Sequence, residues 1–351
     1  MTANSADWAH VDRNLPIPSI RAGADAPCAS ESRLSAQNTA NILIVGCGAI
    51  GGLFASALAA VAKVAAYDAN AEHVRAINAH GLRVIGKSPR TARITATDDP
   101  VTLTGIDFAA VIFLLKSKFT AAALAQLRPR LAGHPMLVTL QNGMGNAEEL
   151  LGVADAVVVR GATLNAGRYV EPGCVENLIE GKTWLGPERG SVSDIRPLGE
   201  LLNAAGYPTE LVADPMGAVW SKFVFNCVMN PLGALMMGDN AARHNSPDMR
   251  ALVDDMAAEC IAVVEKLGGR FAFPPMEFVA QIRSGELPLS SHAGSMAFDI
   301  ARGAPSEIDE MTGFIVREGE RLGVSTPACK TVYRLVKGLE LAARSRIAKP
   351  R

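Results

Sequence analysis

Hydrophobic residues in the first half of the chain come in short, nearly unbroken runs separated by glycine-rich or polar breaks. Ile42-Leu43-Ile44-Val45 runs into Gly46-Cys47-Gly48-Ala49-Ile50-Gly51-Gly52 and then into a small-residue helical segment, Leu53 to Ala62. Val64-Ala65-Ala66-Tyr67 ends in Asp68, a helical pattern covers Ala71 to His80, and a wholly apolar run from Phe108 to Leu115 stops at Lys116. An Ala/Leu helix reaches Leu131, and Met136 to Leu140 then leads into Gln141-Asn142-Gly143-Met144-Gly145. Strands buried on both faces lose the alternation of half-exposed ones, so this text predicts an α/β domain with a doubly wound parallel sheet. Residues 157–185, interrupted by Gly161, Gly167, Gly173 and Gly181, predict further strands and hairpins closing one edge of that sheet.

After a strand-like Thr209 to Val212, the period changes. Asp214-Pro215 carries a helix-start signal, aspartate at the cap and proline in the first turn. From there to about Arg344 only helices are predicted, punctuated by Pro231, Pro247, Pro274-Pro275, Pro288 and Pro327. The boundary falls near residue 213, giving an α/β domain over 41–213 and an all-α domain over 214–345. Residues 1–40 show neither periodicity and hold too little apolar surface to offset ordering entropy, so they read as a disordered tail. That tail lacks the basic and apolar regions of a secretory signal, and Asp7, Asp12, Asp25 and Glu31 argue against a transit peptide.

Composition narrows the classes. At 351 residues the chain exceeds the ~250 to 300 at which single cores stop growing, in keeping with two domains. Lys and Arg number 34 against 35 Asp and Glu, a net charge of −1, which gives no nucleic-acid footprint. No uncharged apolar run reaches the roughly 18 to 20 residues of a membrane span. Cys28, Cys47, Cys174, Cys227, Cys260 and Cys329 are scattered, which predicts no metal site, no disulfide framework and free thiols in a cytoplasmic setting.

The chemistry-bearing residues sit where the pattern breaks. Gly46-x-Gly48-x-x-Gly51 follows a strand, opens a helix and is followed by Asp68, 22 positions after its first glycine. In such a loop the glycines permit the tight turn, the approach of pyrophosphate and the packing of helix on strand, while backbone N–H groups receive phosphate. An aspartate at that strand end accepts from an adenosine ribose diol and repels a 2′-phosphate, which favours NADH over NADPH; the alternative is a solvated carboxylate pointing away. Lys116 and Gln141-Asn142 end strands at the edge where doubly wound sheets bind ligands. For Lys116 the alternative is the start of an exposed helix, and for Asn142 a left-handed turn residue. Lys222, Asn226 and Asn230 stand at i, i+4 and i+8 on one ~80° arc of an otherwise apolar helix, as a functional stripe or as structural hydrogen-bonding residues. Pro231 frees the carbonyl of Cys227, which predicts a kink where the stripe ends. Ser306 with Glu307 and Asp309 reads as a helix N-terminus.

Taken together, over about residues 41–340, these segments resemble the ketopantoate reductases (2-dehydropantoate 2-reductases). The landmarks are Gly46-Cys-Gly-Ala-Ile-Gly51, Leu115-Lys116, Asn142-Gly-Met-Gly145, Lys222-Phe-Val-Phe-Asn226-Cys-Val-Met-Asn230-Pro-Leu, Ser295-Met and Ser306-Glu307-Ile-Asp. The resemblance implies a Rossmann domain followed by a helical, 6-phosphogluconate-dehydrogenase-like domain, and NAD(P)H-dependent reduction of ketopantoate to (R)-pantoate. It implies Lys222 as general acid, with Lys116 and Glu307 completing the catalytic set. Gly46, Cys47, Gly48, Ala49, Ile50, Gly51, Asp68, Lys116 and Asn142 match cofactor-binding positions; Asn142, Asn226, Asn230, Asn240 and Ser295 match substrate-binding ones. A nearby Lys116 would lower the pKa of Lys222. NADPH is the family's usual cofactor, yet Tyr67-Asp68-Ala69-Asn70 lacks the basic residue that NADPH users carry there. Around Ser295 the family commonly shows polar Ser/Thr and Leu-Gln, whereas this chain reads Ser291-His292-Ala293-Gly294-Ser295-Met-Ala297-Phe298-Asp299, an altered substrate pocket; with Asp68 this leaves an NAD-linked (R)-2-hydroxyacid dehydrogenase acting on another branched 2-oxo acid as the alternative. A non-catalytic dinucleotide-binding regulator is a third reading. Apolar faces on the helical domain would suit a homodimer.

Overall fold

The structure is a computed structural model that describes residues 40–237, 240–289 and 294–347; the side chain of Asn240 is not among the parts described. The predicted tail up to Thr39, and Ser291 to Ala293 of the quoted Ser295 segment, lie outside the described residues. Ala40, assigned by composition to that tail, is buried and its carbonyl accepts from the Lys63 N–H, so it belongs to the sheet.

Twelve strands are formed among the described residues: β1 (Asn41–Val45), β2 (Lys63–Tyr67), β3 (Leu82–Gly86), β4 (Arg90–Ala92), β5 (Thr95–Thr97), β6 (Ala110–Phe113), β7 (Met136–Thr139), β8 (Val158–Thr163), β9 (Ala166–Glu171), β10 (Cys174–Ile179), β11 (Thr183–Arg189) and β12 (Thr209–Leu211). Eight make one sheet in the order β12-β11-β8-β7-β6-β1-β2-β5. All its pairs are parallel except β8 with β11. The order reverses between β1 and β6, the switch point at which ligands bind beyond the strand ends. The apolar runs behave as predicted because they are buried on both faces; every residue of β6, β7 and β8 is buried.

The 157–185 region departs from expectation. Only β8 and β11 extend the main sheet, while β9 and β10 leave it and join β3 and β4 in a second sheet, ordered β4-β3-β10-β9. Leu53, Val84 and Val175 form a small core between this sheet and the helix Ala49–Leu58. That helix begins inside the glycine loop, four residues before the predicted start at Leu53.

Every described element from Met216 to Ile347 is helical: 216–235, 240–245, 247–266, 277–284, 295–301, 312–322 and 327–347. The Met216–Leu235 helix runs through their shared core, with Val224, Cys227, Val228 and Leu232 fully buried. It continues unbroken through Pro231 as a helix. Thr312 Oγ1 donates to the Cys227 carbonyl at 2.8 Å, so the acceptor that the proline leaves without a helical partner is satisfied from outside the helix. Ser306, read as a helix start, instead closes a turn by accepting from the Ile308 N–H, and the next helix begins at Thr312. No helix among the described residues is long and apolar enough to cross a membrane.

Candidate active site

A cleft of about 880 Å³ lies between the carboxyl ends of the main-sheet strands and the helical half. At one end is the glycine loop. Gly46 has φ +86°, and a Cβ there would come within 2.7 Å of Leu115; a Cβ on Gly51 would fall 1.8 Å from the Gly46 carbonyl oxygen. Gly48 is different, because nothing lies within 4 Å of where its Cβ would be. Two glycines thus make the loop, and the third opens it to the cleft. The helix that follows has no side-chain cap, so its first N–H groups have no side chain accepting from them. This is the cradle a dinucleotide pyrophosphate needs, and the residues fit the group.

Asp68 locks the same loop. Its Oδ2 accepts from the Cys47 N–H at 2.8 Å and its Oδ1 from the Asn70 N–H at 2.9 Å. A carboxylate offers about four lone-pair positions, so two remain for ribose hydroxyls. His73, which the sequence reading missed, is buried with both ring nitrogens engaged: Nδ1 accepts from the Gly173 N–H at 2.9 Å, which leaves Nε2 to donate to the Cys47 carbonyl, also at 2.9 Å. It therefore ties the loop to the turn between β9 and β10. Cys47 and Gly51, grouped by motif with the cofactor contacts, do not line the cleft. Both are buried beneath the loop and serve its shape.

The other end is built from charged and amide side chains. Lys116, Asn142, Lys222, Asn226, Asn230, Ser295 and Glu307 all line the cleft, so the helical stripe and the two strand ends meet there. Asn226 Nδ2 donates to Asn142 Oδ1 at 3.2 Å, joining the stripe to the sheet. Asn230 is buried, with its amide nitrogen 3.7 Å from the Met311 sulfur. Asn240 starts a short helix, Asn240–Asn245.

Lys116 Nζ donates to Asp299 Oδ1 and to the Pro305 carbonyl, both at 2.8 Å. Lys116 does start a helical turn, Ser117–Phe119, its carbonyl accepting from the Phe119 N–H at 2.9 Å, but its side chain is held by Asp299 and, contrary to expectation, it is not the charge that acts on Lys222. Lys222 is lowered to about 8 by burial, and the charge acting on it is that of Glu307, which works in the opposite direction. Among the described residues no hydrogen bond or ion pair holds Lys222. Glu307 accepts from the Ser117 N–H at 3.4 Å, and burial pushes its carboxyl up to about 7. Asp299, at i+4 from Ser295 on the same helix, went unassigned; the spacing was visible, but nothing in the sequence named Lys116 as its partner.

The buried lysine and the glycine loop thus face one cleft, a geometry suited to reducing a carbonyl beside a bound dinucleotide. Comparison with known proteins agrees in both halves. The family pattern described as "Ketopantoate reductase PanE/ApbA" matches residues 42–190, and "Ketopantoate reductase PanE/ApbA C terminal" matches residues 214–340. A 2-dehydropantoate 2-reductase from Mesorhizobium japonicum is 30% identical, with 85% of this chain and 97% of that protein covered. The crystal structure of a PanE/ApbA family ketopantoate reductase from Ralstonia eutropha JMP134 superposes with a TM-score of 0.76 at 30% identity, covering 87% of this chain and 99% of the other. D-mandelate dehydrogenase, in a ternary structure with NADH and anilino(oxo)acetate, shares the fold at a TM-score of 0.78 and 22% identity, with 86% and 99% covered. The chain belongs to the ketopantoate reductase family.

Proposed function

We propose that this protein reduces 2-dehydropantoate to (R)-pantoate, with residues 41–213 holding the dinucleotide and 214–345 supplying the substrate contacts. The observation that carries this reading is Lys222: a lysine lowered to about 8, on a stripe with Asn226 and Asn230, in the same cleft as the Gly46–Gly51 loop. A reduced nicotinamide bound in that cleft supplies the hydride. Lys222 donates a proton to the developing alkoxide oxygen, and at neutral pH it is charged yet acidic enough to let the proton go. The substrate carboxylate adds a negative charge nearby, which raises the Lys222 pKa and keeps the acid protonated until the oxygen needs it. Asn226, Asn230 and Ser295 hold the carboxylate and hydroxyl, Asn142 fixes Asn226, and Glu307 orients the ammonium. Asp68 takes the ribose hydroxyls and favours NADH.

One observation favours a second substrate. Phe298 lines the cleft three residues after Ser295, which suits a 2-oxo acid with a bulkier apolar group. Steady-state reduction of 2-dehydropantoate, 2-oxoisovalerate and 2-oxoisocaproate, each with NADH and NADPH, tests both. Turnover highest on 2-dehydropantoate supports the first reading. Turnover confined to another 2-oxo acid replaces the substrate, and none at all removes the proposal.

A further inference from the structure

We propose that Arg302, reaching from the helical half onto the ribose-binding segment, reads the adenosine 2′-position from the opposite wall. It receives a 2′-phosphate there, so the cleft takes NADPH as well as NADH. The inference rests on the dinucleotide reading of the cleft.

Four cations line the cleft among the described residues: Lys116, Arg168, Lys222 and Arg302. Three are committed. Lys116 is held by Asp299, Lys222 sits at the reaction end, and Arg168 donates through Nε to Glu176 at 2.9 Å while its guanidinium lies over the Phe298 ring, 5.6 Å from its centre. Arg302 donates through Nε to the Phe298 carbonyl of its own helix at 3.2 Å, and its terminal nitrogens are held loosely. Its ion pair to Asp299 Oδ1 is 3.6 Å, on the oxygen that Lys116 already holds at 2.8 Å, and its side chain is 51% exposed. The remaining contacts of Arg302 place it. Its guanidinium lies 6.0 Å from the centre of the Tyr169 ring, and that ring packs on His73 with ring centres 5.1 Å apart. His73 holds the Cys47 carbonyl of the loop that Asp68 also locks, so Tyr169 is a platform that carries a guanidinium towards the segment where an adenosine ribose would be held.

Asp68 does not forbid a phosphate there as firmly as its charge suggests. Both of its oxygens accept backbone N–H groups, which offset part of that charge. A guanidinium presents a fork of donors that matches phosphate, and it can leave an aromatic face or a long ion pair at small cost. The residues after β2 supply no cation, and the opposite wall does.

The test titrates the purified full-length chain with NADH, NADPH, 2′,5′-ADP and 5′-AMP, following nicotinamide fluorescence or heat, for the unaltered protein and for Arg302→Ala, Arg302→Lys and Tyr169→Leu. Arg302→Ala is expected to weaken NADPH and 2′,5′-ADP by roughly ten- to a hundredfold relative to NADH and 5′-AMP. Arg302→Lys should restore part of that selectivity, and Tyr169→Leu should lose a smaller share in the same direction. Equal weakening of all four ligands overturns the 2′-assignment and moves Arg302 to the pyrophosphate. Unaltered protein that binds NADH but neither NADPH nor 2′,5′-ADP overturns the inference while leaving the dinucleotide reading intact. Failure to bind any of the four removes the dinucleotide reading itself.

Discussion

The two ends of the cleft are built by opposite means. At the glycine loop the working groups are backbone, and the nearby side chains Asp68 and His73 act by fixing that backbone. At the other end the cleft is lined by charged side chains, Lys222, Glu307, Lys116 and Asp299, with backbone groups serving only to hold Lys116 and Glu307; two of the four have pKa values pushed towards neutrality by burial. The first end requires shape and tolerates no added atom at Gly46 or Gly51. The second requires charge balance, and its side chains can be replaced without disturbing the chain's path. Shape and charge should therefore fail separately.

Three substitutions and a pH profile break or sharpen that division. Lys222→Met should lower kcat by about 10²- to 10⁴-fold, the usual worth of a positioned proton donor, while fluorescence titration finds NADH affinity little changed. Gly51→Ala should do the reverse. Its Cβ collides with the Gly46 carbonyl, so NADH affinity should collapse and thermal unfolding should show a loss of about 3 kcal/mol. The pH dependence of kcat/KM sharpens the charge side. Lys222 must be protonated, so activity should fall as pH rises through about 8; Glu307 must be ionised for its charge to act on Lys222, so activity should fall again below about 7. Glu307→Gln removes a charge that raises the Lys222 pKa, which should abolish the acid limb and move the basic limb to lower pH. The smallest effect belongs to neither end. Thr312→Val leaves the Cys227 carbonyl unpaired and should cost about 1–3 kcal/mol in denaturant unfolding, less when Pro231→Ala restores a helical donor.

Local periodicity carried much of this into view. The apolar runs of β1, β6 and β7, the glycine spacing and the i, i+4, i+8 stripe are each readable within a dozen residues, because burial and helix geometry impose them directly. The second sheet was not readable: β4 has three residues, β3 is exposed at alternate and end positions, and β3 takes its parallel partner β10 from far along the chain. The same limit hid His73, whose bond to Gly173 spans 100 residues, and the hold on Lys116, whose bond to the Pro305 carbonyl spans 189. Pro231 shows the boundary between the two kinds of knowledge. The sequence identifies the carbonyl that the proline frees, but only packing determines that Thr312 meets it and that the helix runs on.

The passage from sheet to helices is made once among the described residues, in the few residues between Leu211 at the end of β12 and Met216. At that seam a Cβ on Gly186 would come within 2.7 Å of Pro215, and Trp184 stacks on Phe273 with ring centres 5.0 Å apart. The protein is thus divisible for engineering. A chimera that joins this chain through Asp214 to the helical half of another family member would import the Lys222 stripe in one piece. Its compatibility would be decided at Gly186, at the Trp184–Phe273 stack and at the bonds that Lys116 and Asn142 make across the cleft to Asp299 and Asn226.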